Sequence, residues 1–178
     1  MKALYLMSFL SVATAASAGS LAVESRDMAS GRLAPEQFAN VFGCAGGNVS
    51  PEIRWSGAPE GTQSYVVTLY DPDATTGSGF WHWVAVDIPA GVTSLSSGAG
   101  DDASRLPKGA YMVRNDAGDA HFLGACPPEG TTHRYVLTVK AIKIAKLPVP
   151  ENATPALVGF VSNMLKLDEA RIVATGAR

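Results

Sequence analysis

Alternation with a period of two, the mark of a strand with one face buried, is the dominant pattern along this chain. It is clearest from Arg134 to Ile144, where Tyr135, Leu137, Val139 and Ala141 fall on one face and Val136, Thr138 and Lys140 on the other. Two shorter runs are rich in β-branched and aromatic residues. Ser64 to Tyr70 (SYVVTLY) stops at Asp71-Pro72 and Trp83 to Ile88 (WVAVDI) stops at Pro89, so both predict buried strands. Ile53 and Trp55 predict a short strand entering a loop at Ser56-Gly57-Ala58-Pro59. Gly43-Cys44-Ala45-Gly46-Gly47-Asn48 is turn chemistry, because Gly and Asn tolerate positive φ. Leu21 to Phe42 mixes polar and apolar residues. Ser94 to Arg114, with scattered Gly and Pro and no sustained period, predicts mainly loop.

Helical spacing occurs once. Thr154 is suited to an N-cap and Pro155 to the first helical position. Leu157, Val161, Met164 and Leu165 then recur at i, i+4, i+7 and i+8, which predicts a helix near the C-terminus packing those residues across the edge or end of a sheet. The expected fold is mostly β.

Composition narrows the function. The 178 residues suit one domain, and 47% hydrophobic against 17% charged residues supports a packed core. A net charge of −2 without a basic tract argues against nucleic acid. At the N-terminus Lys2, the apolar stretch Ala3 to Val12 and the small-x-small triplet Ala16-Ser17-Ala18 match a secretory signal peptide over residues 1–18. A single domain over 19–178 is then expected in the periplasm or outside the cell. The apolar stretch is shorter than the ~20 residues a bilayer span needs, so no stable membrane insertion is expected. Export favours a disulfide between Cys44 and Cys126, the two cysteines of the chain. Neither sits in a metal-ligand spacing.

The candidate chemistry sits where strands meet loops. Asp71 and Asp73 follow one strand, His82 opens another within Phe80-Trp81-His82-Trp83, and His133 heads the long one after Cys126-Pro127-Pro128-Glu129-Gly130. Each has a plainer role open to it, the aspartates as turn formers and the histidines as satisfied core residues. If the two imidazoles converge, a carboxylate such as Asp71 would fix one tautomer and leave the other ring nitrogen facing a cavity. Backbone N–H groups of the Gly/Pro loop, with Trp81, Trp83, Phe80 and Tyr135 as apolar walls, would complete a small anion site. No G-x-S-x-G elbow is present for a serine hydrolase, and no H-E-x-x-H for zinc.

At these residues the chain resembles the phosphatidylethanolamine-binding family. Leu69 to Pro89 (LYDPDATTGSGFWHWVAVDIP) is similar to its first signature, and GACPPEGTTHRYVLTVKAI to its second. The lead-in FGCAGGNVSPEIRWSGAPEGTQSY and the two cysteines most resemble the periplasmic Raf-kinase-inhibitor-like branch of bacteria. The resemblance implies a sandwich of two antiparallel sheets with a few peripheral helices, one of them C-terminal. It also implies a pocket for a small phosphate-like or carboxylate anion, formed by Asp71, Asp73, His82, Cys126, Pro127, His133 and Tyr135 and flanked by Trp81 and Trp83. No cofactor or metal is implied. A protein partner is expected, a second copy of the chain among the candidates. The alternative is a hydrolase of small esters or phosphoesters using the same cluster. Thr75, Ala117 and the segment Ala174 to Arg178 depart from the family pattern.

Overall fold

The two-residue period of the long run is realised as a strand at the heart of the molecule. The computed structural model describes residues 20–178, so the signal-peptide reading of residues 1–18 lies outside them. Its strands are β1 (Ala22–Glu24), β2 (Ile53–Ser56), β3 (Ser64–Asp71), β4 (Phe80–Pro89), β5 (Ser94–Leu95), β6 (Tyr111–Met112), β7 (Thr132–Ile142) and β8 (Lys166–Ala177), with one α-helix among the described residues, α1 (Pro155–Leu165), and two short 3-10 turns at Pro35–Gln37 and Ala103–Arg105. They form two antiparallel sheets, a small one in the order β1-β2-β5 and a large one in the order β6-β4-β3-β7-β8.

Burial follows the alternation. Tyr135, Leu137, Val139 and Ala141 of β7 face the small sheet, where they pack with Tyr65, Val67 and Leu69 of β3 and with Ile53, Trp55 and Leu95. The opposite face of the large sheet packs Val66, Val84, Val86 and Ile142 against Val158 of the helix. This is the expected sandwich, and the helix is followed by a further strand.

Two local expectations are corrected. The helix begins as read, with Thr154 Oγ1 accepting from the Leu157 N–H at 3.2 Å. However, it lies on the outer face of the large sheet, not across its edge or end. Pro155, Val158 and Ser162 are its buried residues, whereas Met164 is 66% exposed. Val161 and Leu165 of the expected face do pack against this core, whereas Leu157 turns outward with Met164; the remaining contact is polar, because the sheet beneath the helix presents the Lys140 head group to Ser162.

β8 is the second correction, since no strand is predicted there. Its inner-facing Ala170, Ile172 and Ala174 are mostly small, and Lys166, Glu169 and Arg171 form ion pairs with one another. Those charges suit a sheet edge but erase the apolar alternation by which strands are recognised. The segment 94–114 is mainly loop, as expected, interrupted only by β5 and β6, two-residue strands too short to show a period, and by one 3-10 turn.

Cys44 and Cys126 form a disulfide with Cα atoms 5.9 Å apart. It closes a loop of 82 residues, and restricting the unfolded chain by that much contributes about 3–4 kcal/mol. A Cys44→Ala/Cys126→Ala double variant should therefore melt about 10 °C lower in calorimetry; a loss below about 2 °C would contradict this assignment.

Candidate functional site

Strand alternation brings two distant residues together. On β3 the inner-facing series Tyr65, Val67, Leu69 continues to Asp71; on β7 the inner series Leu137, Tyr135 continues to His133. The two strands are antiparallel neighbours in which Tyr70 opposes Val136, so both series end at the same end of the sheet. His133 Nδ1 donates to Asp71 Oδ2 at 2.7 Å, and both residues are buried. Asp71 Oδ1 accepts from the backbone N–H groups of Asp73 (2.8 Å) and Ala74 (3.0 Å), which shapes the Asp71-Pro72-Asp73 turn. With Nδ1 of His133 spent, Nε2 is the ring nitrogen left for a ligand.

His82 arrives through an irregularity. Leu69 opposes Trp83 while Tyr70 opposes Trp81, so His82 is an extra residue in β4, a β-bulge. Strict alternation would send His82 and Trp83 to opposite faces. The bulge lets both turn inward: Trp83 joins the core, and the His82 ring packs on Phe80 (4.9 Å) and edge-on to Tyr135 (5.3 Å). His82 Nδ1 lies 2.8 Å from the Leu123 carbonyl oxygen. A carbonyl only accepts, so Nδ1 carries the proton and Nε2 presents a lone pair. Burial holds the His82 pKa below the ordinary histidine value, outweighing the Leu123 carbonyl and the Asp71 charge that favour the cation. The ring is neutral at pH 7.

Between these imidazoles lies a cavity of about 240 Å³, lined by Asp71, His82 and His133, by Phe80 and Leu123, and by the hydroxyl residues Thr75 and Thr76. Cys126 forms part of the wall. Its bridge to Cys44 holds the neighbouring Phe42 at the mouth, where that ring is 72% exposed on a backbone with φ of 57°. Gly124 also lines the cavity and is required there, since a Cβ would come within 2.4 Å of Ala39 N.

The other expected site residues lie around this cavity without lining it. Asp73 turns outward to Arg134, accepting from its backbone N–H (2.8 Å), Nε (2.9 Å) and Nη2 (2.7 Å), and those bonds hold its carboxyl down to about 2. It braces the start of β7. Trp81 is on the outer face of the sheet, tilted against Tyr70 with ring centroids 4.4 Å apart, and Trp83 is fully buried. Neither is a pocket wall. Pro127 is buried, and its neighbour Pro128 lines the cavity instead. Tyr135 sits behind His82, fully buried, with no hydrogen-bond partner for its hydroxyl among the described residues. Of the expected backbone donors in the Cys126–Gly130 loop, Gly130 N–H is committed to the Arg178 carbonyl at 2.7 Å; just before the loop, Gly124 N–H donates to Asn48 Oδ1 at 2.8 Å and Ala125 N–H to the Gln37 carbonyl at 3.0 Å. Phe42, Thr75, Thr76 and Leu123 were not anticipated. For Phe42 the cysteine pairing was the available signal, and the hydroxyls carried none.

A two-sheet β-sandwich with a histidine-lined cavity at one end of its larger sheet is the class that fold and site define. The family model for phosphatidylethanolamine-binding protein matches residues 24–177, and the chain belongs to that family. It is 48% identical over 176 residues to the UPF0098 protein YbcL of Escherichia coli, covering 97% of this chain and 96% of that one. YbhB of the same organism is 44% identical over 151 residues, covering 84% and 96%. The crystal structure of YbcL, described as a member of the mammalian PEBP family, superposes with a TM-score of 0.84 at 46% identity, covering 90% of this chain and 99% of that one. A Mycobacterium tuberculosis protein named as the lipoprotein LppC is 33% identical over 156 residues, covering 87% and 71%.

Two substitutions test the roles assigned here. Asp71→Ala removes the acceptor for three donors and strands a buried imidazole N–H, so it should cost about 3 kcal/mol, or roughly 6–12 °C in melting temperature. Tyr135→Phe removes a hydroxyl that lacks a partner and should leave the melting temperature equal or higher; a clear fall would give that hydroxyl a structural duty.

Proposed function

We propose that this protein captures a small phosphate-like anion, of the kind carried by a phosphorylethanolamine head group or a phosphorylated side chain of a partner, in the cavity between His82 and His133. The observation that carries this reading is the pairing of two unlike imidazoles on one small space. His133, backed by the Asp71 carboxylate, can hold a proton on Nε2 and donate to an anionic oxygen, while the neutral His82 accepts at Nε2. A phosphate monoanion offers both an anionic oxygen and a P–OH group, so it satisfies both rings. A carboxylate offers only the former and should bind more weakly. Phe42 and Phe80 would shield the non-polar part of a head group. Action in an exported, oxidising compartment is supported by the disulfide, by the relative named as a lipoprotein and by the signal-like N-terminal pattern.

The pH dependence follows from the ligand. The lowered pKa of His82 keeps that ring a neutral acceptor below the ordinary histidine range. Lower pH converts the phosphate dianion to the monoanion, whose P–OH group His82 accepts. Affinity for phosphorylethanolamine should therefore rise at least tenfold from pH 8 to pH 5 in isothermal titration, and His82→Ala or His133→Ala should abolish it. A flat pH profile, or variants that bind as the wild type does, would refute the reading.

The buried Asp71–His133 pair is also the geometry of a general base, which keeps a hydrolase in view. The hydroxyl side chains lining the cavity are those of Thr75 and Thr76, and Thr76 Oγ1 already donates to the Gly79 carbonyl. Incubation with p-nitrophenyl acetate and p-nitrophenyl phosphate should yield no more than stoichiometric product. Sustained turnover lost in His133→Ala would establish the hydrolase instead.

A further inference from the structure

We infer that the outer face of the large sheet carries a second ligand site, for an organic monocarboxylate whose charge is met by Lys140 and whose apolar part lies along Tyr70, Trp81 and Phe160. A cavity of about 490 Å³ separates this face from α1, and these four residues line it together with Gly159 and Arg171. It is on the other side of the sheet from His82 and His133.

The argument starts from an under-compensated cation. Lys140 is 6% exposed, and its Nζ donates to Ser162 Oγ at 3.0 Å and Asn163 Oδ1 at 2.8 Å, both on α1. An ammonium has three donors, and both acceptors found are neutral. Among the described residues no carboxylate is in ion-pair reach of it. The acid facing it across the β7–β8 pairing is Glu169, which is held by Lys166 Nζ at 2.6 Å and Arg171 Nη2 at 2.7 Å. A buried charge without a counter-charge is unfavourable. Burial accordingly pulls the Lys140 pKa down to about 8, Glu169 opposing the shift and Lys166 and Arg171 adding to it. An anion entering the cavity would supply the missing partner.

Charge and shape limit what that anion is. Two cations line the cavity; Arg171 has a carboxylate contact, shared with Lys166 at Glu169, whereas Lys140 has none. A single carboxylate head gives Lys140 the contact it lacks and leaves the rest of the ligand free to lie on the apolar wall. Tyr70 and Trp81, tilted against each other with ring centroids 4.4 Å apart, form an aromatic wall, and Phe160 stands 64% exposed opposite the sheet. Gly159 keeps the helix side open: a Cβ built there meets nothing within 4 Å. An aryl or short alkyl acid fits this combination.

Phenylacetate, with its neutral amide phenylacetamide as control, tests the site in the intact protein. Titration at pH 7 should show saturable phenylacetate binding, at least tenfold weaker for the amide, and weakening as pH rises past about 8, where the ammonium is lost. Lys140→Met should remove it. Gly159→Leu should block it too, while raising helix propensity, so a folding defect is not expected to cloud the result. In the wild type, phenylacetate should slow reductive methylation of Lys140 several-fold by mass mapping. The proposal fails if acid and amide bind alike, if Lys140 labelling is unprotected, if Gly159→Leu retains full affinity, or if phosphorylethanolamine displaces phenylacetate and so assigns it to the first cavity.

Discussion

The hydrogen bond from His133 Nδ1 to the Asp71 carboxylate ties the fold to the site. The two residues are separated by 62 positions in sequence, yet each is where the inner-facing alternation of its own strand runs out. The bond can form only if β3 and β7 pair in the observed antiparallel register, since a one-residue slip would turn one of the two side chains to the opposite face. The same carboxylate also orders the turn after β3, so the loop that carries Thr75 and Thr76 to the cavity is anchored by the group that orients His133. Loss of Asp71 would loosen strand pairing, loop and ring together.

The second imidazole depends on a departure from regularity. The bulge at His82 turns this ring inward beside Trp83 while leaving Trp81 on the outer face with Tyr70. One extra residue thus divides an aromatic cluster between two surfaces. The inner surface becomes a cavity with one neutral ring and one carboxylate-backed ring, and the outer surface becomes an aromatic wall facing Lys140. Enclosure differs too: the inner cavity is fastened by the Cys44–Cys126 bridge, whereas the outer one is roofed by a helix with a glycine at its middle.

Much of this was legible in the chain. The face assignment of Tyr135, Leu137, Val139 and Ala141 is what places His133, and the abrupt ends of the strand runs mark where loops and chemistry begin. Convergence of Asp71, His82 and His133, and the cysteine pairing, could be anticipated on those grounds and from the family resemblance. The positions of Trp81 and Trp83 could not, because a bulge leaves no compositional trace and period two fails at that point. β8 was hidden by charges that belong on a sheet edge. Only part of the helix face follows its hydrophobic spacing: Val161 and Leu165 pack on the sheet, but Lys140 and Ser162, both polar, meet beneath the helix, and hydrophobic spacing has no means to register a buried polar contact. Phe42 reaches the cavity mouth beside the anticipated disulfide, but through a left-handed backbone position that its neighbours do not announce.

The central claim is that two differently held histidines, one tied to a backbone carbonyl and the other to a carboxylate, share one ligand. Long-range ¹⁵N–¹H correlation of the imidazoles at pH 7 measures this directly, before and after addition of inorganic phosphate. The account predicts His82 as the neutral tautomer protonated at Nδ1, His133 with its Nδ1 proton strongly hydrogen-bonded, and shifts of both Nε2 resonances when phosphate is added. A His82 protonated at Nε2 in the free protein, or Nε2 signals of both rings that ignore phosphate, would contradict it.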